Sequence, residues 1–186
     1  MIEFFFKINK IALLIVLPLF IACQDTKKKI SILKHNPDLK KTDEGWLYKD
    51  MPFTGFMIEE EKHRVVHRLP IINGQEQGLA RAWYHTGEKL LERNFVDSKI
   101  EGEFRQWWPN GNLRYLFHYK NDVFEGIQYV YFPSGNKREE SNFRAGEQEG
   151  IQRVWDESND LVSNYTIKNK KTYGVISVKS CIPVGH

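Results

Sequence analysis

The stretch GEFRQWWPNGNLRYLFHYKNDVFE, residues 102–125, decides the fold because it is the clearest copy of a unit that recurs along the chain. Each unit begins with a glycine, and these leading glycines are 24 residues apart: Gly78, Gly102, Gly126, Gly150 and Gly174. Aromatic residues keep the same interval, with Trp83, Trp107, Tyr131 and Trp155 five positions after the glycine. A fixed period of this length indicates a repeat array, in which each unit packs mainly on its neighbours.

A second glycine series predicts a hairpin turn inside each unit. Its members are Gly87, Gly111 and Gly135, with Asn159 at the fourth position. The dipeptide Asn110-Gly111 between two apolar-rich runs is typical of a two-residue type I′ turn, which needs positive φ at both positions. Asparagine reaches positive φ more readily than other non-glycine residues, so Asn159 suits the same backbone requirement.

The runs on either side of this turn predict two antiparallel strands in each unit, at residues 102–108 and 113–119 in the clearest copy. Their aromatic content suits the pleated surface of a sheet. A second turn, Lys120-Asn121-Asp122, leads to the next unit. We therefore predict an all-β fold, an elongated single-layer antiparallel sheet of tandem 24-residue β-hairpins.

Strand alternation places arginine and aromatic side chains together on one face of this sheet. This set, which we call the ladder, consists of Arg81, Trp83, Arg105, Trp107, Tyr129, Tyr131, Arg153 and Trp155. The opposite face receives Tyr84, Trp108 and Phe132. Because a single sheet cannot bury two aromatic faces against itself, we expect one face to be structural and the other to bind a ligand. The ladder is the candidate binding site.

The unit G-x-x-x-x-W-[YW]-x-x-G-x-[LK]-x-x-x-x-x-[FY] resembles the MORN repeat, and in particular the bacterial MORN-repeat variant family. The resemblance covers residues 78–173, and Pro52-Phe53-Thr54-Gly55 is similar to the opening of such arrays. It implies a non-catalytic binding or interaction array. Relatives include proteins described as antitoxin-like or membrane-binding.

The N-terminus, residues 1–22, resembles a bacterial lipoprotein signal peptide. Lys7 and Lys10 precede an apolar run of 12 residues, which is too short to span a membrane comfortably. The motif Phe20-Ile21-Ala22-Cys23 resembles a lipobox, which implies lipidation of Cys23 and an anchor in a membrane of the cell envelope, either the outer membrane or a membrane facing the periplasm. An ordinary signal peptide or an uncleaved anchor is the alternative.

The remaining segments complete the predicted organisation. Residues 23–44 are rich in lysine and predict a flexible tether. Residues 45–77 predict an incoming strand followed by a degenerate first repeat, and residues 78–173 four regular repeats. Residues 174–186 form the C-terminal tail, with a closing strand predicted at 173–178 to cover the open edge of the array.

We predict no catalytic residues, no cofactor, no metal site and no nucleic-acid partner. A net charge of +3 is not a nucleic-acid signature. The pair His63 and His67 lacks a third ligand, as do Cys181 and His186. Carboxylates also recur immediately before the leading glycines, at Glu101, Glu125 and Glu149. Recurrence in register indicates a structural position, because a catalytic site would be needed only once.

Three functions fit these observations. The first is a lipid-anchored scaffold that binds a protein partner in the bacterial cell envelope. The second is binding of glycan, peptidoglycan or anionic lipid headgroups by the ladder. The third, suggested by the family resemblance, is an antitoxin-like neutralising protein.

Overall fold

Strands are the only regular elements in residues 30–175, the part of the chain that the computed structural model describes. The first seven are β1 (Ser31–Leu33), β2 (Leu39–Thr42), β3 (Gly45–Tyr48), β4 (Met51–Pro52), β5 (Gly55–Glu61), β6 (Arg64–Ile72) and β7 (Gln75–Glu76). The other ten are β8 (Gly78–Trp83), β9 (Lys89–Val96), β10 (Lys99–Trp107), β11 (Leu113–Lys120), β12 (Val123–Phe124), β13 (Gly126–Tyr131), β14 (Lys137–Arg144), β15 (Glu147–Trp155), β16 (Leu161–Lys168) and β17 (Lys171–Val175). The all-β prediction is confirmed.

Fourteen strands form one main sheet in which hairpins follow one another in chain order. The spatial order is β1-β5-β6-β8-β9-β10-β11-β13-β14-β15-β16-β17, and the short strands β7 and β12 pair with β6 and β11. All neighbours from β5 onward are antiparallel, whereas β1 runs parallel to β5. The predicted array of hairpins joined edge to edge is therefore confirmed.

The register of the sheet repeats as the sequence does. The first four leading glycines each face the residue seventeen positions later, as Gly102 faces Tyr119 and Gly126 faces Phe143. In the first hairpin Gly55 faces Ile71, sixteen positions later, and the strand pairing shifts near the turn as in the later hairpins. Residues 55–77 thus form a complete repeat that is one residue shorter, despite the glutamates where the aromatics would stand.

The turn at the second glycine series differs from the predicted type I′ turn. Gly111 has a φ of 87°, but Asn110 is not among the residues with positive φ. The Gly111 N–H donates to the Trp108 carbonyl at 2.9 Å, and the Trp108 N–H donates to the Asn112 carbonyl at 2.8 Å. This is a type I turn followed by one left-handed residue, a form in which proline is favoured at Pro109. Asn159, with a φ of 68°, confirms the prediction that asparagine replaces the glycine.

Two-residue turns with positive φ at both positions occur instead at six links between strands and at the tip of the first hairpin. They are Lys49-Asp50, Lys62-His63, Asn73-Gly74, Asp97-Ser98, Asn121-Asp122, Ala145-Gly146 and Asn169-Lys170. The predicted link at Lys120-Asn121-Asp122 is thus present, and type I′ geometry belongs to this end of the repeat. Sequence reasoning assigned the right turn type to the wrong end.

The leading glycines lie where the strand pairing shifts. The register between β9 and β10 changes between Ile100 and Phe104, and Gly102 between them has a φ of 81°. A Cβ at Gly102 would meet no atom within 4 Å, so the backbone angle, and not lack of space, favours glycine. At the corresponding interruption of strand pairing in a later repeat, the Gln128 side chain is 3% exposed. It hydrogen-bonds to the backbone N–H and C=O of His118.

The predicted flexible tether is wrong for residues 30–44, which contain β1 and β2. Ile32 and Leu39 are buried, so these two apolar side chains fix a segment whose composition is otherwise lysine-rich. The incoming strand predicted at residues 45–54 also differs. It becomes β3 and β4, which join β2 in a separate three-stranded sheet.

This small sheet packs over one face of the first repeats and creates the hydrophobic core. The core comprises Ile32, Leu39, Phe53, Met57, Leu69, Ile71, Ala80 and Phe95, with Trp46, Tyr48 and Ile100 packed against it. Backbone hydrogen bonds from Trp46 to Gly74 and from Gly74 to Phe53, both 2.8 Å, fix the small sheet in place. Trp46 and Tyr48 therefore pack against the core from a second layer.

We call the covered side of the main sheet the core face, residues 30–100 the covered half, and residues 101–175 the open half. At the C-terminus β17 closes the described array by pairing with β16, and it begins two residues earlier than predicted. Residues 176–178 of the predicted closing strand lie outside the described residues. So do the signal peptide, Cys23, Cys181 and His186.

Candidate functional site

The ladder residues lie on the face opposite the core, which we call the ladder face. Cα pairing forms one continuous row across the strands from β8 to β16: Arg81, Glu92, Arg105, Leu116, Tyr129, Glu140, Arg153 and Asn164. The buried hydrophobic residues of the described main sheet all project from the core face. The hydrophobic core of the described main sheet therefore lies on the face opposite the ladder.

Carboxylates that the sequence analysis missed hold the ladder arginines. Glu92 accepts from Arg81 and contacts Lys89, both at 3.1 Å. The Glu140 carboxylate forms ion pairs with Lys137 at 2.8 Å and with Arg153 at 2.7 Å. Each of these two glutamates, whose side chains are mostly buried, therefore lies between two cations. The third ladder arginine, Arg105, pairs with Glu103 on its own strand.

These two clusters lower the pKa of their glutamates. Burial alone would raise the pKa of Glu92, but the hydrogen bonds from Lys89 and Arg81 outweigh it and hold the pKa below its usual value. The pKa of Glu140 is lowered in the same way between Lys137 and Arg153. Both carboxylates are therefore ionised at neutral pH, and the arginine side chains are fixed by charge-assisted hydrogen bonds.

The same lysines lie over aromatic rings of the ladder. The Lys89 Nζ is 5.3 Å from the centre of the Trp107 ring. The Lys137 Nζ is 4.8 Å from the Tyr129 ring and 5.1 Å from the Trp155 ring. These are cation–π distances, so each lysine links a carboxylate to aromatic rings.

The clusters recur in every second repeat, and this longer period is visible in the sequence. Lys89 and Glu92 recur as Lys137 and Glu140, 48 residues later. The intervening repeats have leucine in place of each lysine, at Leu113 and Leu161. A search for a period of two repeats on the second strands would have found these positions.

Tyr84 and Trp108, which directly follow the ladder tryptophans in the sequence, have a structural role at the hairpin tips. The Tyr84 hydroxyl donates to the Trp107 carbonyl at 2.7 Å, and the Trp108 Nε1 donates to the Tyr131 carbonyl at 3.1 Å. Each thus connects one repeat to the backbone of the next.

The recurring carboxylates have their structural role at the opposite end of each repeat. The Glu101 carboxylate accepts the backbone N–H of Asn121 at 2.8 Å, and the Glu125 carboxylate accepts that of Ala145 at the same distance. Each glutamate therefore fixes the two-residue turn that leads into the following repeat. The predicted structural role of these positions agrees with these contacts.

The core face of the open half carries a row of aromatic side chains. Phe117 contacts Phe104, Tyr115 and Phe124, with ring centres 5.9, 4.9 and 5.3 Å apart. Phe124 in turn contacts Phe143 at 5.0 Å. The position of Phe117 is occupied by Arg93, Ser141 and Tyr165 in the other regular repeats. The 24-residue period therefore does not predict this aromatic row.

The two histidines do not form a metal site. His63 lies in a turn with a φ of 64°, and His67 lies on β6 with its Nδ1 3.8 Å from a Glu59 oxygen. Burial lowers the pKa of His67, which favours the neutral imidazole. Among residues 30–175 no group of three potential ligands could hold a metal ion, and no helix there could cross a bilayer.

Comparison with known protein families matches two consecutive segments of the array. Residues 100–121 and 124–145 both correspond to the MORN repeat variant. Each match begins two residues before a leading glycine and covers one hairpin. Comparison with curated proteins finds no match to the chain.

Proposed function

Because the central hairpins of this chain are MORN repeats, we propose that the protein is an interaction scaffold that a lipid on Cys23 anchors in the bacterial cell envelope. MORN repeats are generally non-enzymatic and often bind membranes or protein partners. The proposal adds a location, an anchor and a surface to this general role. The surface is the ladder face, and the partner is a protein.

The ion-paired aromatic ladder is the observation that carries this proposal. Tryptophan, tyrosine and arginine are the residues that contribute most to the affinity of protein interfaces. Glu92 and Glu140 hold Arg81 and Arg153 in fixed positions before any partner arrives. Binding then immobilises fewer side chains, which lowers the entropic cost of association.

The same contacts favour a protein over an anionic lipid headgroup or a glycan. A phosphate or carboxylate ligand would have to compete with Glu92, Glu103 and Glu140 for the ladder cations. A sugar ring stacked on Trp107 would compete with Lys89, which already lies over that ring. A protein surface can instead contact the arginines, the carboxylates and the ring edges together.

The anchor is supported by the lipobox-like motif that ends at Cys23. Two or more acyl chains hold a protein durably on a membrane. The test is the intact mass and membrane fractionation of the chain expressed in bacteria, beside Cys23→Ser. A mature species that begins at residue 23 with added acyl mass, and that leaves the membrane in Cys23→Ser, is expected. An unprocessed cytosolic chain would contradict the anchor and favour the antitoxin-like role.

The scaffold is tested by crosslinking in intact cells and purification of the tagged full chain. We compare wild type with the double variant Trp107→Ala and Trp155→Ala, which removes two ladder rings. Met51→Ala, an exposed side chain of the small sheet, is the matched control. A crosslinked protein that is lost from the double variant and retained in the control is expected. Equal crosslinking of all three chains would contradict the proposal.

A further inference from the structure

A cleft on the core face borders one ladder residue, Trp83, but its proposed role does not depend on the proposed scaffold. It is an open groove of about 530 Å³ at the tips of the first two hairpins. Its lining includes Lys34, Glu59, His67, Ala82, Trp83 and Arg93. Clefts of this size are typical of small-molecule sites.

The cleft exists because one repeat departs from the others on the core face. The second and fourth positions after Gly78 are Ala80 and Ala82, whereas the next repeat has Phe104 and Gln106. Cα pairing places His67 beside Ala82, and Arg93 beside Ala80, on two different neighbouring strands. The small Ala82 side chain on β8 thus leaves space between a histidine and an arginine, whereas Ala80 belongs to the buried core.

Both of these side chains have a buried polar atom without a hydrogen-bond partner. They are the His67 Nδ1 and the Arg93 Nε, and the only other such side-chain atom in residues 30–175 is the Gln152 Oε1. Buried polar groups are normally hydrogen-bonded, because an unsatisfied one loses its hydration without compensation. Two side chains that line one cleft therefore have unused hydrogen-bonding capacity, which indicates a polar ligand.

One cation of the cleft has no carboxylate partner. The Lys34 ammonium is matched by the Glu59 carboxylate at 2.6 Å, and the lining also contains Glu61 and His85. The Arg93 guanidinium forms no ion pair with any described carboxylate and contacts the Phe95 ring, 4.9 Å from its centre. A planar anion with two oxygens matches the fork of an arginine, and a histidine N–H beside it can donate to the same group. Tyr84 supplies an aromatic wall for an organic body.

We propose that this cleft binds a small organic carboxylate, whose oxygens accept hydrogen bonds from Arg93 and His67 while its body lies against Tyr84. The carboxylate belongs either to a free small molecule or to the C-terminus of a polypeptide. The chemistry is the same in both cases. The two sources differ in whether a peptide chain leads from the carboxylate out of the cleft.

Calorimetric titration of the full-length chain in detergent tests this proposal. The probes are benzoate and its neutral counterpart benzamide, and the tripeptide acetyl-Gly-Gly-Phe as the free acid and as the C-terminal amide. We expect the acids to bind and the amides to bind at least about tenfold more weakly, since a charge-assisted hydrogen bond is lost. Binding of benzoate alone identifies a free small molecule, and tighter binding of the tripeptide acid identifies a chain terminus.

Three variants assign the binding to this cleft. Arg93→Gln removes the guanidinium, and Ala82→Leu fills the floor without changing the charge. Arg114→Gln is the control, because that arginine lies over the Trp108 ring, 4.3 Å from its centre, in the open half. We expect the first two to weaken benzoate binding about tenfold or more and the control to leave it unchanged.

An NMR titration gives a second readout that does not depend on the stability of a variant. The imidazole signal of His67, assigned with His67→Gln, should shift on addition of benzoate and stay in place on addition of benzamide. Absence of acid binding, equal binding of acid and amide, or full affinity in a folded Arg93→Gln protein would each overturn the proposal.

Discussion

The covered half and the open half are built from the same hairpin, yet they are stabilised differently. In the covered half, the small sheet buries Leu69, Ile71 and Ala80 to between 0% and 4% exposure. In the open half, the corresponding face has half-buried aromatic rings, and its most buried side chains are polar: Gln128, Ser141 and Gln152. The repeat therefore specifies strand pairing, whereas a second layer is needed to produce a hydrophobic core.

The two candidate surfaces lie on opposite faces of the main sheet. The carboxylate cleft lies on the core face, where the first two hairpins meet β1. The ladder crosses both halves on the other side of the sheet. A partner on the ladder and a ligand in the cleft could thus be bound at the same time.

The largest expected effect compares one core substitution in each half. Ile71→Ala leaves a cavity beneath the small sheet and should lower the free energy of unfolding by about 2–5 kcal/mol. Phe117→Ala removes a larger side chain, but a half-buried one, and should cost only about 1–2 kcal/mol because less area leaves water on folding. Urea unfolding of the full chain measures both. A greater loss for Phe117→Ala would show that packing in the open half contributes more to stability than the covered core.

Acid should weaken the ladder clusters while leaving the apolar core unaffected. The pKa of Glu140 is lower in the folded chain than its ordinary value of 4.5. Its stabilising contribution is therefore complete above pH 4.5 and is lost as the pH falls through the lowered pKa. Glu140→Gln should cost about 0.5–1 kcal/mol at pH 7, and this cost should shrink toward zero as the pH falls through the lowered pKa.

Urea unfolding at neutral and acid pH checks this prediction. Glu139→Gln is the control, because the neighbouring Glu139 side chain lies on the core face and accepts from Ser141 instead of a cation. An equal loss for Glu140→Gln at both pH values would show that its carboxylate charge contributes nothing.

Much of this architecture could be predicted from the sequence, because one period of the sequence corresponds to one hairpin of the sheet. The leading glycines, the alternation of the ladder and the role of Asn159 all follow from backbone geometry that recurs. The small sheet could not be predicted, since it is not repeated and Ile32 and Leu39 stand alone in a lysine-rich segment. The turn type was wrong because Asn110-Gly111 suits two kinds of hairpin, and Pro109 favours the one observed.

The candidate site was predicted only in part, for a related reason. The ladder residues belong to every repeat, so their face was evident. Glu92 and Glu140 belong to alternate repeats, and Arg93 occupies a position that changes in each one. Side chains that depart from the period determine the electrostatics and the cleft, and a search for the period overlooks them.

At the hairpin tips, two substitutions of the same glycine should differ in their cost. Gly111→Asn should cost less than about 1 kcal/mol, because asparagine already occupies this position at Asn159 with positive φ. Gly111→Val should cost about 1–2 kcal/mol or more, since a β-branched residue is strained there. Thermal unfolding of both variants provides the comparison. Equal losses would show that the backbone angle is not what selects glycine.

The most direct test of the scaffold proposal places a photoreactive amino acid on each face of the open half. Benzoyl-phenylalanine replaces Tyr131 on the ladder face in one chain and Tyr119 on the core face in another. Both side chains are half-buried aromatics, so the substitutions are matched. We expect illumination of living cells to join a protein partner to the chain labelled at residue 131 and not to the one labelled at residue 119. Crosslinking from residue 119 alone would contradict the scaffold proposal and assign the interaction to the aromatic row of the core face.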